Sequence, residues 1–198
     1  MTKFILGKKI GMSQMFDDKG TLVPVTLMSV GPCYILQQKT IEKDGYEALQ
    51  IGFEKIEKKS KIKKSMKGKE YKYIREVRNP SPEAADEKEI NISIFTQGEK
   101  VKVSGMSKGK GFQGGVKRHG FSGRNATHGV KHEQRKIGST GCRFPQHVIK
   151  GRKMPGRMGY ERTSVKNLKI MKIDKENNLL VVKGAVPGRT GALLEVRA

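Results

Sequence analysis

Thirteen lysines and arginines and all four histidines of this chain fall within residues 105–159, against a single acid, Glu133. The cations are Lys108, Lys110, Lys117, Arg118, Arg124, Lys131, Arg135, Lys136, Arg143, Lys150, Arg152, Lys153 and Arg157, and 13 of the chain's 24 glycines lie among them. These residue types suit the binding of phosphate. Lys and Arg neutralise phosphates and release condensed counterions, the main sequence-independent term in nucleic-acid affinity. Glycine lets backbone N–H groups come close to an anion and permits positive φ. Phe112, Phe121 and Phe144 are spaced among the cations, where aromatic rings can stack on unpaired bases. No window of the stretch sustains an apolar period of 3.6 or 2. Free in water it buries too little apolar surface to offset its ordering entropy. The competing reading is a solvated basic loop without a particular ligand, and 55 residues is far longer than an ordinary connection.

Other chemistry is weakly supported. Gly109–Gly114 matches G-x-G-x-x-G, which marks a dinucleotide site only between a strand and a helix. The residues that follow, Gly115-Val-Lys-Arg-His-Gly-Phe-Ser-Gly123, are read as unable to start a helix, although Glu133 lies at a suitable distance for a ribose-binding acid. His128 and His132 are four apart, but Gly129 stands where the glutamate of H-E-x-x-H belongs and no third ligand is near, so no metal is expected. Cys142 with His128, His132 or His147 would make a nucleophile and base, with nothing to orient them. No catalytic centre and no cofactor are expected.

The elements that must carry this stretch come from the rest of the chain. Its 198 residues suggest one domain with a large insertion. The 143 residues outside 105–159 are enough for a real core and are themselves basic, with 28 Lys or Arg against 18 acids. The whole chain is +22 with a pI near 10.1, which points to nucleic acid or an anionic membrane surface. No apolar run approaches the roughly 18 residues that span a bilayer, and the four-residue apolar patch in Met1–Met12 is too short to be expected to act as a secretory signal. Cys33 and Cys142 form no short-spaced framework, so a reduced cytosolic chain is expected.

In order, Phe4–Phe16 ends at the turn Asp17-Asp18-Lys19-Gly20, and Thr21–Val30 reads as a strand in which Pro24 suggests an edge or a bulge. Cys33–Gln38 and Tyr46–Phe53 read as a hairpin about Lys43-Asp44-Gly45. Four short strands in 53 residues suggest a small antiparallel barrel or sandwich. Lys55–Lys72, with nine lysines and two acids, is a lysine-coated helix, a solvated loop or a second nucleic-acid contact. Order resumes at Tyr73–Val77, and Asn79–Glu89 reads as a surface loop or short helix. Ile90–Phe95, Lys100–Ser104, Ser164–Ile173, Leu179–Val182 and Ala192–Val196 read as further strands. The expected fold is mainly β: a small antiparallel β-barrel body, 1–104 and 160–198, with a long irregular basic loop, 105–159.

Several motifs carry a resemblance. Gly105-Met-Ser-Lys-Gly-Lys-Gly-Phe-Gln-Gly114, Lys117-Arg-His-Gly120, Thr127-His-Gly129, Gly138-Ser-Thr-Gly141 and Lys150-Gly-Arg-Lys-Met-Pro-Gly-Arg-Met-Gly159 occur in that order. With Gly7–Met12 and Leu180–Gly188 they resemble the universal large-subunit ribosomal protein number three in its bacterial form, over nearly the whole chain. The resemblance implies a non-catalytic, cytoplasmic ribosomal protein whose body lies near the 3′ end of the large-subunit rRNA. It implies a loop threading toward the peptidyl transferase centre, early assembly, and neighbouring large-subunit proteins as partners, with no membrane and no small-molecule substrate. On the matched motifs, Lys108, Lys110, Lys117, Arg118, Lys150, Arg152, Lys153 and Arg157 are expected to neutralise phosphates. His119 and His128 are expected to hydrogen-bond or stack, and Gly109, Gly111, Gly114, Gly120, Gly129 and Gly138 to admit close backbone approach. The 141–150 linker is about one residue shorter than is usual in the family, with Ile149 where Phe is common, and Pro155 stands where a small residue is common. A nucleoid-type DNA-binding protein using the same charge is the alternative.

Overall fold

Turn chemistry sets the first hairpin. Gly20, at φ +75, returns its N–H to the Asp17 carbonyl at 2.8 Å, while Asp17 N–H donates to Thr21 O at 2.9 Å. Strand β1, Phe4–Phe16, thereby folds back on β2, Leu22–Val30, with Phe16 opposite Leu22 and Gly7 opposite Val30. The computed structural model describes residues 3–58, 60, 62–78 and 88–198. The chain forms two compact units, Met1–Ser107 with Arg162–Ala198, and Lys108–Glu161.

The first unit is mainly β. After β2 come β3, Cys33–Lys39; β4, Ala48–Lys55; β5, Tyr71–Arg78; β6, Glu89–Ile90; and β7, Lys100–Met106. Two short strands of the second unit, β8, Phe112–Gln113, and β9, Gly156–Arg157, are followed by β10, Arg162–Asp174; β11, Leu179–Lys183; and β12, Leu193–Arg197. Six strands pair in the order β1-β12-β7-β10-β11-β2, and β2 pairs with β1, so the ladder closes on itself. Every pairing in the ring is antiparallel. Period-2 alternation turns Met28, Val30, Val101, Val103, Leu180, Val182, Leu194 and Val196 inward, all fully buried. Each such side chain contributes about 1.5–3 kcal/mol before entropy is subtracted.

A second sheet, β5-β4-β3-β6, shares that core through Cys33, Leu49, Ile51, Phe53, Val77 and Ile90. The four N-terminal strands therefore do not form one barrel or sandwich as expected: β1 and β2 belong to the ring, β3 and β4 to the second sheet. Gly31, at φ +67, makes the change of direction between them. Pro24 lies neither at an edge nor at the bulge, which falls between Lys9 and Gly11. Strand β2 has a neighbour on each side, and Pro24 is tolerated because the β11 ladder stops at Val25 and the Pro24 carbonyl accepts from Gly184 N–H at 2.8 Å.

Other expectations also shift. Ile90–Phe95 is not one strand: β6 ends at Ile90 and Ile92–Ile94 is a 3₁₀ turn that buries Ile92. A strand would turn alternate apolar residues away from the core; a 3₁₀ turn keeps Ile92 and Phe95, three apart, on the same side, and both are buried. The β3–β4 turn contains a short helix, Ile41–Asp44, closed by Gly45 at φ +78. Between β4 and β5 the described residues hold the 3₁₀ turn Lys64–Met66 and no longer helix. Residues 79–87 of the expected loop or short helix, and Lys59 and Lys61, lie outside the described residues. Cys33 is a buried free thiol and Cys142 an exposed one. No helix among the described residues is long and apolar enough to cross a membrane.

Candidate nucleic-acid interface

Regular structure is sparse in the second unit. Strand β8, Phe112–Gln113, pairs antiparallel with β9, Gly156–Arg157. Lys110 N–H donates to Met158 O and Met158 N–H to Gly111 O, both at 3.0 Å, so this clasp joins the start of the unit to its end. A short helix, Gly115–His119, follows β8 directly. The expectation that these residues cannot start a helix is therefore wrong. Gly120, at φ +72, closes the turn by donating to Val116 O at 3.0 Å, a left-handed cap at which glycine carries no Cβ penalty. One helical turn so capped is still far from the long helix and parallel sheet of a dinucleotide fold.

The helix fixes two of the expected site residues. Arg118 Nη1 donates to Met154 O at 2.7 Å, and His119 Nε2 lies 3.1 Å from the same carbonyl. Arg118 lies across Gly156, where a Cβ would stand 2.5 Å from Nη1. His119 meets Phe121 edge-on at 6.2 Å between centroids. Both side chains are half-buried, and both bind the unit together. A backbone acceptor such as Met154 O leaves no trace in a sequence, so this role had no signal to find.

The remaining cations point to solvent. Lys108, Lys110, Lys117, Arg124, Lys131, Arg135, Lys136, Arg143, Lys150, Arg152, Lys153 and Arg157 are all exposed, as is His128. Some are held. Arg152 Nη2 donates to Ser139 O at 2.8 Å, and Arg157 donates to Tyr160 O at 3.2 Å while lying over the Tyr160 ring. Arg124 pairs with Glu133, the one acid of the basic stretch. An open cleft of about 780 Å³ is bordered by Gly115, Phe121, Arg124, Arg135, Lys136 and Pro155, among others. Phe112 and Phe144 are exposed, whereas Phe121 packs on Gly115.

The glycines separate into two groups. At Gly111, Gly114, Gly120, Gly129 and Gly138 a Cβ would meet nothing within 4 Å, and at Gly109 only Tyr160 Cβ at 3.7 Å. Those are the six expected to admit a ligand, and internal packing does not require a missing side chain at any of them. Gly115 and Gly156 are different, because Ile137 with Phe121, and Arg118, occupy the space. Cys142 and His147 border one shallow depression. Among the described residues no three metal-ligating side chains cluster.

Comparison with known proteins decides the family. The model of ribosomal protein L3 matches residues 74–178. Large ribosomal subunit protein uL3 of Carboxydothermus hydrogenoformans is 49% identical over 205 aligned positions, covering 100% of this chain and 97% of that protein. The chain belongs to the ribosomal protein L3 family. The uL3 proteins of Pelotomaculum thermopropionicum and of a Geobacillus strain are 47% and 46% identical, each over 100% of this chain and 97% of their own. In this L3 family member the match of the family model begins within β5, takes in the whole basic unit and all of the ring strand β10, and ends just before β11.

Proposed function

We propose that this chain is a structural, non-catalytic constituent of the large subunit of the cytoplasmic ribosome and binds large-subunit rRNA. In this reading the closed ring is a small β-barrel body, and residues 108–161 are a basic extension that enters rRNA. The body lies near the 3′ end of the large-subunit rRNA, nucleates assembly beside neighbouring ribosomal proteins, and the extension runs toward the peptidyl transferase centre. The observation that carries the reading is charge placement: twelve of the thirteen cations in 105–159 are exposed, on a backbone with few regular elements. Six open-faced glycines between them leave room for a phosphate to approach the backbone closely, although the Gly120 N–H is itself held by Val116 O. The full-length similarity to uL3 proteins supplies the choice of nucleic acid.

Sucrose-gradient sedimentation of a lysate in moderate salt tests this reading. Stoichiometric migration with the large subunit is expected, and migration only at the top of the gradient would refute it. In binding assays with purified protein, roughly ten phosphate contacts would make log affinity fall with log salt at a slope of about −7 to −9. A slope shallower than about −3, or a preference for duplex DNA over folded rRNA, would favour a nucleoid-type binder instead.

A further inference from the structure

We infer a second phosphate-binding site, on the outward face of the ring, in which Arg75, Lys102, Arg162 and Arg197 hold the RNA backbone around the carboxylate of Glu195. The inference rests on the rRNA-binding reading above but uses none of the residues of 105–159. Its basis is an excess of cations over the acid that organises them. Glu195 Oε1 lies 3.6 Å from Arg75 Nε, while Oε2 pairs with Arg162 Nη2 and lies 3.8 Å from Arg197 Nη2. The Glu195 side chain is 13% exposed, but those of Arg75 and Arg162 are about half exposed, at 49% and 56%.

Strand register brings these groups to one face. Across β12 and β7, Glu195 stands opposite Ser104 and Arg197 opposite Lys102; across β7 and β10, Ser104 stands opposite Ser164 and Met106 opposite Arg162. Leu194, Val196, Val101 and Val103 fill the core, so alternation sends Glu195, Arg197 and Lys102 outward. Ser104 and Ser164 join hydroxyls at 2.7 Å on the same side, two residues along β10 from Arg162. Arg75 reaches the cluster from β5.

Three guanidinium groups carry about fifteen N–H donors, while one carboxylate has about four acceptor sites. Glu195 cannot satisfy them. The Nε of Arg197 is buried with no acceptor among the described residues, and its guanidinium lies 5.0 Å from the centroid of the Phe4 ring. Arg197 and Lys102 are like charges directly opposite each other, an arrangement that destabilises an antiparallel pair. With Arg75 and Arg162 this places four cations about the Glu195 carboxylate among the described residues. Glu195 spaces the arginines and limits their rotamers, and the N–H edges left over form a fork suited to the oxygens of a phosphodiester.

The test compares the full chain with Arg75→Gln/Arg162→Gln in binding to transcribed large-subunit rRNA across a salt series. Losing two phosphate contacts should make the log–log slope shallower by about 1.4–1.8, and Arg75→Lys/Arg162→Lys should restore it. Wild-type binding with a steep slope that the Gln variant does not alter overturns this site and leaves the parent reading standing. Failure of the wild-type chain to bind rRNA overturns both. Because the Gln variant removes two ion pairs, a second measurement uses the unaltered protein: phenylglyoxal modification of Arg75 and Arg162 with and without rRNA. Protection by rRNA is expected. Equal modification, or protection only by a mixture of large-subunit proteins, overturns the assignment, the latter in favour of an acidic protein partner.

Discussion

Gly7→Ala should be among the most damaging single-methyl changes in the ring, while Gly11→Ala, four residues along the same strand, should be harmless. A Cβ on Gly7 would stand 2.6 Å from Ser29 O, 2.9 Å from Val30 Cγ2 and 3.1 Å from Val30 Cα. Two of these obstacles are backbone atoms of β2, which cannot rotate away as a side-chain tip can. Relief requires the β1–β2 ladder to open beside the Gly31 N–H to Leu6 O bond, 3.0 Å long. Overpacking of a core by one methyl costs about 1–3 kcal/mol, and the backbone obstacle puts Gly7→Ala near the top, about 3 kcal/mol. For a chain of this length each kcal/mol moves Tm by about 2–4 °C, so a fall of about 6–12 °C is expected. At Gly11 nothing lies within 4 Å and φ is not positive. The alanine there should be neutral or stabilise by up to about 1 kcal/mol through the unfolded chain. Thermal unfolding of the two purified variants, followed by far-UV circular dichroism, decides the matter. Equal Tm values would refute the steric reasoning.

Burial pushes the Cys33 thiol up to about 12, with the Leu6 backbone contact acting weakly against it. Iodoacetamide at pH 8 should therefore label Cys142 alone in the folded chain and both thiols in denaturant, as read by mass spectrometry. Hydrogen bonds from Lys39 and Tyr46 hold the Glu76 carboxyl below its ordinary range. A lowered folded value means stability that is present above the unfolded pKa, near 4.5, and lost as pH falls through the folded one. Glu76→Gln should flatten the acid side of the stability curve below pH 5, and denaturant titrations that keep the wild-type slope would contradict this. In the protein without RNA, amide exchange should be fast across 121–153, which holds no helix or strand, and slow in β7, β10 and β12. Uniform protection would show that the second unit is as stable as the ring.

Local elements were legible where turn chemistry and alternation agree. Asp17–Gly20 marks one end of β1, and the alternating Lys100–Ser104 is found within β7, because both signals depend on a few neighbours. Sheet membership was not legible. Cys33–Lys39 has the same local character whether it joins the ring or a separate sheet, and its second neighbour there, Ile90, is far away in the chain. Gly115–His119 was misjudged because glycine content argues against a helix, while the packing of Gly115 against Ile137 comes from residues some twenty positions later. The cation-rich stretch was evident from composition, since charge needs no partner to be counted. The inward turn of Arg118 and the convergence on Glu195 were not, because each depends on strand or loop register.

The basic unit leaves the ring after Met106 and returns at Arg162, and these two residues face each other across β7 and β10. To the ring, the fifty-four residues Lys108–Glu161 are topologically the connection of a hairpin. The gap to be bridged is set by the strands, not by the insert. Each doubling of such a connection costs only about 0.6 kcal/mol in closure entropy. The insert can thus be lengthened, shortened or re-sequenced with almost no penalty to the scaffold, and a two-residue turn in its place would leave the ring's hydrogen bonding whole. The ring's ladder ends at the facing pair Met106 and Arg162 whatever the length of chain between them.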